Sequence, residues 1–151
     1  MYASMVVALM LVVPIGCTIF EVFRSNHGVF SFSILLQWFV FWAVGVRLLL
    51  AGFRQIIQPR YTAEVILGIK REECHRVIRE LGFGNLSIGC IGAGSLMYPG
   101  WVLPAAIAGS VFYGLAGINH FLRKARGINE NVAMVSDVLV AVVLIVCLLP
   151  S

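Results

Sequence analysis

Asp137 interrupts the run VAMVSDVLVAVVLIVCLLP, which is otherwise apolar enough for hydrocarbon. A charged side chain at the middle of a bilayer costs roughly 3 kcal/mol or more, so this carboxylate needs a partner from the protein or from water. The residues of suitable type are Arg47, Asn85, Asn119 and His120, each inside or at the end of another apolar run. Such a set has two uses. In the static one, the Arg47 guanidinium neutralises Asp137, and the Asn85 amide and His120 imidazole fill the remaining lone pairs and donors; pairing removes much of the cost of burial. In the dynamic one, a carboxylate and a neutral imidazole relay protons near neutral pH, or line a polar path for a small solute. Arg47 also has the option of reaching the headgroups along its own length.

Other chemistry-bearing residues form weaker patterns. Glu72 and His75 have the E-x-x-H spacing of di-iron helices, but those sites need two copies and the chain has one, so a solvated face is expected there. Glu21 and Arg24, three apart, read as a surface pair. The four cysteines lack C-x-x-C spacing, which removes the zinc and redox motifs. Cys17 and Cys147 both fall toward the outer ends of their runs, where a disulfide and two free, buried small hydrophobes are both open. No glycine-rich phosphate loop precedes a helix, no serine elbow or H-E-x-x-H occurs, and GAGS at Gly92–Ser95 lies within an apolar run. No catalytic residue, metal ligand or cofactor site is assigned from these patterns.

The elements that position Asp137 and its candidate partners follow from composition. Of 151 residues, 60% are hydrophobic and 12% charged, with mean hydropathy +0.96; soluble domains carry about 25% charged residues. Five runs, 3–23, 32–53, 81–98, 101–122 and 132–149, are long enough to cross a hydrocarbon core of about 30 Å. The expected fold is therefore all-α: one integral membrane domain over 1–151, a polytopic bundle of five transmembrane helices. The first run lacks a Lys/Arg-rich start and a small-residue cleavage site, so it reads as a retained span rather than a signal peptide. An odd number of spans argues against an inverted-repeat transporter.

Between the second and third runs, Pro59 breaks the pattern and Thr62 is placed to cap a new helix. Tyr61, Val65, Ile66, Ile69, Val77 and Ile78 then recur at helical spacing among charged residues, which predicts an amphipathic interfacial helix over 61–79, docking on lipid or on a partner protein. YPGW (98–101) reverses the chain, with Tyr98 and Trp101 at the outer interface, making the third and fourth helices antiparallel neighbours. Small residues let membrane helices approach closely, and two stripes, Asn85, Gly89, Ala93 and Ala106, Ser110, Gly114, are the expected contact faces of that pair.

Segments 54–80 and 123–131 fall on one side and carry nine of the eleven basic residues; Arg24 stands alone on the other. Basic loops stay cytoplasmic, which predicts a cytoplasmic N-terminus and an external C-terminus. The net charge of +4 is thus topological, its partner the lipid bilayer rather than nucleic acid. At about 1.5 Å of rise per residue, Arg47, Asp137 and Asn85 all lie roughly 6–9 Å below the cytoplasmic surface, with Asn119 and His120 slightly shallower.

The blocks AGFRQIIQPRYTAEVI, RELGFGN, VFYGLAGINH and NENVAMVSD, spread from Ala51 through Val140, resemble an uncharacterised family of small polytopic prokaryotic membrane proteins, with a fainter similarity to DoxX-like membrane proteins. The resemblance implies a helical fold in a prokaryotic cytoplasmic membrane and assigns no activity, so no role passes to Glu80, Asn85, His120, Glu130 or Asp137. Three functional expectations result. The first is a structural or accessory component, self-associated or docked into a larger membrane complex. The second is a small-solute or proton-coupled channel or transporter built on Arg47, Asn85, His120 and Asp137. The third is a membrane enzyme handling a lipid or quinone head group near His120 and Glu80.

Overall fold

Long, predominantly apolar runs satisfy their backbone internally as helices, the form hydrocarbon requires of a single span. In the computed structural model, which describes residues 2–24, 30–123 and 127–149, these runs form α1 (Ala3–Arg24), α2 (Phe32–Ile57), α3 (Cys74–Gly94), α4 (Val102–Leu122) and α5 (Ile128–Leu148). Four of them, α1, α2, α5 and α4 with its leading turn (Pro99–Leu122), are long and apolar enough to cross a membrane. α3 is as long as α5. It falls short of the other four in apolarity, because it opens seven residues before the expected 81 and so takes in Arg76, Arg79 and Glu80, and because Gly82, Gly84, Gly89, Gly92 and Gly94 contribute little hydropathy.

The interfacial helix expected over 61–79 is not continuous. Helical turns at Pro59–Tyr61 and Thr62–Ile66 end where Gly68 takes φ of 67°, a left-handed conformation that glycine adopts freely and that terminates helices. Residues 67–73 are non-helical, and the charged residues from Cys74 onward belong to α3. Thr62 accordingly sits inside the helical turns, at φ −65° and ψ −44°, rather than capping them.

The bundle core is shared by α1, α2, α4 and α5: Val6 and Met10 meet Phe39, Val40, Ala43, Val44 and Leu48, together with Ala105, Ala106, Tyr113, Val140, Ala141 and Leu144. α3 lies along α2, antiparallel to it and in backbone contact. A methyl group added to Gly45 would stand 2.5 Å from the Ala93 nitrogen, one on Gly89 2.7 Å from the Leu49 nitrogen, and one on Gly52 2.7 Å from the Gly82 oxygen. α4 and α5 form a second antiparallel pair, in which Gly117 admits Val138 and Gly114 faces Ala141.

The two small-residue stripes therefore have other partners than each other. Gly89 and Ala93 serve α3–α2 contact, while Ala106, Ser110 and Gly114 are turned toward the core and α5. The YPGW turn joins α3 and α4 at one end but does not dock their faces: the Trp101 ring lies over Gly94, where an added methyl would meet it at 2.6 Å, and elsewhere the two helices touch sparsely.

Two helices widen locally into π turns, at Ala8–Val12 in α1 and Val40–Val46 in α2. In α1 the cause is Pro14, which has no N–H and whose ring would crowd the preceding turn; Val13 donates to Ala8, and the Thr18 hydroxyl returns to the Pro14 carbonyl at 2.8 Å. In α2 the Arg47 amide donates to the Trp42 and Val44 carbonyls and passes over Ala43. The Tyr113 hydroxyl of α4 donates to the Ala43 carbonyl that the widened turn leaves open.

Candidate functional site

Asp137 is buried on the inward face of α5, and the positive charge acting on it is that of Arg47 in α2. The two interact through space: no Arg47–Asp137 approach falls within the 4.0 Å of a contact ion pair. Neighbouring Ser136 turns its hydroxyl back to the Val132 and Ala133 carbonyls, at 2.8 and 2.9 Å, rather than to the carboxylate.

The other expected partners of Asp137 bond elsewhere. Asn85, 2% exposed, donates from Nδ2 to Gln55 Oε1 at 2.7 Å, forming a buried amide pair between α3 and α2. Its Oδ1 is buried with no hydrogen-bond partner among the described residues. Asn119 points outward and is exposed. The His120 Nδ1 lies 3.1 Å from Glu130 Oε1. Of the residues expected around Asp137, Asn85 thus bonds to Gln55 and His120 lies against Glu130, while the Arg47 charge acts on Asp137 itself.

Glu130 is the most connected of these groups. Only 2% exposed, its Oε1 also accepts from Arg123 Nη1 at 2.8 Å, and Arg123 Nη2 donates to the Leu67 carbonyl at 3.0 Å. One carboxylate oxygen therefore ties the end of α4, the start of α5 and the non-helical segment after the second span. Glu130 lies in the first turn of α5, where the helix macrodipole favours negative charge. An ionised Glu130 accepts, which puts the imidazole proton of His120 on Nδ1.

Neither Glu130 nor Gln55 stands out in the sequence, since the expected spans stop at 53 and restart at 132, leaving both in loops. The available signals were Glu130's place three residues into a helix start and the proximity of His120 and Arg123 across a short connection. For Gln55 the signal was a depth matching Asn85 on an antiparallel helix. Of the basic residues in that connection, Lys124 and Arg126 lie outside the described residues.

The remaining expected residues are placed as follows. Glu21 accepts from Trp38 Nε1 of α2, so it joins α1 to α2 instead of pairing with Arg24. Arg54 stacks its guanidinium 3.6 Å from the centre of the Tyr61 ring. Glu80 pairs with Arg76 at 3.6 Å on the exposed face of α3, and Glu72 is exposed just before that helix. Cys17, Cys74, Cys90 and Cys147 are all free. An apolar cleft of about 200 Å³ between α1 and α2, lined by Ile15, Ile19, Phe23, Phe30 and Leu35, holds none of the charged groups.

An all-helical bundle with four helices long and apolar enough to cross a membrane, cross-tied by buried polar groups, is the architecture of a helical membrane protein. Within that class, the chain belongs to the family of unknown function DUF6790, whose model matches residues 4–151. The match takes in nearly the whole chain, well beyond the blocks between Ala51 and Val140, and shows no DoxX-like relationship. No curated protein and no solved structure matches the chain.

Proposed function

We propose that the protein is a five-span membrane component with a structural or accessory role, working as a homo-oligomer or within a larger complex of a prokaryotic cytoplasmic membrane. α3 is the fifth span in this reading. Its support is the antiparallel run of α3 along α2, from Gly45–Ala93 to Gly52–Gly82, which gives it the depth of a helix that does span. The observation that carries the functional reading is the Glu130 hub, a buried carboxylate fully engaged in holding elements together. Native mass spectrometry in mild detergent tests the role: a lone monomer with no co-purifying polypeptide refutes it. Reporter fusions test the topology. With five spans, alkaline phosphatase is active on the C-terminus and silent on the N-terminus, whereas four spans put both ends on one side.

A second reading, conduction of a proton or small polar solute, is favoured by Asn85 Oδ1, buried without a hydrogen-bond partner among the described residues. A buried acceptor without a donor in the protein is a place for water or a polar solute. Flux into liposomes that Asp137→Asn abolishes would establish it, and flux indifferent to Asp137→Asn and Asn85→Leu would dispose of it.

A further inference from the structure

The outward faces of the helices differ in kind. α4 turns Leu103, Ile107, Val111, Leu115 and Ile118 outward, and α5 turns Val135, Val138, Val142 and Ile145 outward, large aliphatic surfaces suited to lipid. α3 exposes Val77, Leu81, Phe83 and Ile91 as well, but between them it presents Arg76, Arg79 and Glu80 at one end and the small residues Gly84, Ser87 and Cys90 along its middle. Among the described residues nothing covers Gly84: a methyl group added there would meet no atom within 4 Å. Lipid tails gain little from glycine and serine, while a second helix gains close backbone approach.

The charges on this face point to what covers it. Arg76 and Glu80 are 88% and 62% exposed, lie one turn apart on the same stripe, and carry opposite signs. Such a pair is self-complementary in an isologous contact, where one copy's arginine reaches its partner's glutamate and the reverse. Self-complementary charge at the cytoplasmic end, small residues along the middle and a shortfall in apolarity fit a second copy of this chain better than lipid.

We propose that α3 is the homodimer interface, two copies packing α3 against α3 in parallel about a twofold axis along the membrane normal, with Gly84 and Ser87 at the crossing. This rests on the oligomeric reading above and specifies its surface. The geometry places the two Cys90 thiols on the same interface, which supplies a native cross-linking site.

The test uses the full chain in native membranes, with Cys17, Cys74 and Cys147 changed to alanine so that Cys90 alone reacts with a short bis-maleimide. A covalent dimer is expected. It should be lost in Gly84→Leu, a variant whose added side chain enters open space and whose monomer should keep its thermal stability. A comparison chain carries its only cysteine at Ile107→Cys on the aliphatic face of α4 and should give no dimer. Three outcomes overturn the proposal. A homo-oligomer that cross-links through Ile107→Cys and not Cys90 removes this interface and leaves the oligomeric reading intact. Cross-linking of Cys90 to a different polypeptide replaces the second copy by that partner. A monomer alone, in membranes and in native mass spectrometry, removes both this proposal and the reading it rests on.

Discussion

Glu130→Ala is the sharpest perturbation available, because a single buried carboxylate oxygen at the start of α5 serves two donors at the end of α4. The change removes the bonds from Arg123 at 2.8 Å and His120 at 3.1 Å, and with them the restraint that aims Arg123 at the Leu67 carbonyl. Hydrogen bonds to charged groups contribute about 1.5–3 kcal/mol each. Losing one member of a fully buried pair costs about 3–5 kcal/mol. Arg123 is 36% exposed, so its guanidinium can rehydrate and recover part of that cost. A net loss of about 3 kcal/mol is expected, equivalent to roughly 6–12 °C in melting temperature for a chain of this size. Thermal unfolding in detergent, followed by tryptophan fluorescence, measures it. The loss should not add to that of Arg123→Met, since both act on one contact; the double variant should fall short of the sum by about 1–3 kcal/mol. Glu130→Gln keeps the shape and an acceptor oxygen, and should lose less than the alanine variant. A melting temperature unchanged in Glu130→Ala, or strict additivity with Arg123→Met, would show that the hub does not hold these elements together.

Four further predictions rest on the packing and the buried charges. Asp137→Asn removes the carboxylate that attracts the Arg47 charge and should destabilise by about 2 kcal/mol or more, whereas Arg47→Met with Asp137→Leu should come within about 1 kcal/mol of the parent; equal losses in both would deny the pair any electrostatic coupling. Gly45→Leu forces a side chain against the Ala93 backbone 2.5 Å away and should cost about 3 kcal/mol or prevent folding, read as loss of monodisperse protein by size exclusion. By contrast Gly114→Ala, whose methyl meets Ala141 at 4.0 Å, should be neutral or raise stability by about 0.5–1 kcal/mol through helix propensity. Tyr113→Phe takes the donor from the Ala43 carbonyl and should cost about 1–2 kcal/mol in the same unfolding assay, with no effect expected if water replaces the hydroxyl.

Helix existence was legible in the sequence because predominantly apolar runs of about 20 residues have few other solutions. Helix ends were not. Hydropathy marks where a chain leaves hydrocarbon, but helices run on past that point: α2 reaches Ile57 and α5 starts at Ile128, which is how Gln55 and Glu130 escaped notice. Hydropathy also carries no information on which faces meet. The stripes Asn85–Gly89–Ala93 and Ala106–Ser110–Gly114 mark contact surfaces, yet sequence adjacency of α3 and α4 is a poor guide to their partners, because α2 and α5 supply complementary surfaces to each. Depth alone, likewise, puts Asp137, Arg47, Asn85 and His120 in one slab without fixing their directions around each helix axis. Even the break at Gly68 was obscured by apolar residues that keep helical spacing on both sides of it.

The polar ties share a pattern that periodicity does not contain. α2 joins α1 through Trp38 and Glu21, α3 through Gln55 and Asn85 and through Gln37 and Ser95, and α4 through the Ala43 carbonyl and Tyr113, while its Arg47 charge acts on Asp137 of α5 without contact. Because lipid tails are as apolar as the side chains they replace, burial alone does little to choose among helix arrangements in a bilayer; close packing and hydrogen bonds do the choosing. A helix that offers each neighbour a different polar partner at a different height allows one arrangement of the bundle and penalises the rest. The π turn of α2 belongs to this scheme, since it supplies Tyr113 with a carbonyl that a regular helix would have used internally. The Glu130 hub lies outside that scheme and closes what α2 does not reach, the connection between α4 and α5. That separation predicts that disrupting Glu130 should loosen the end of the bundle where α4 meets α5, raising proteolysis near Leu67 and Gly127, while α1 to α3 stay assembled.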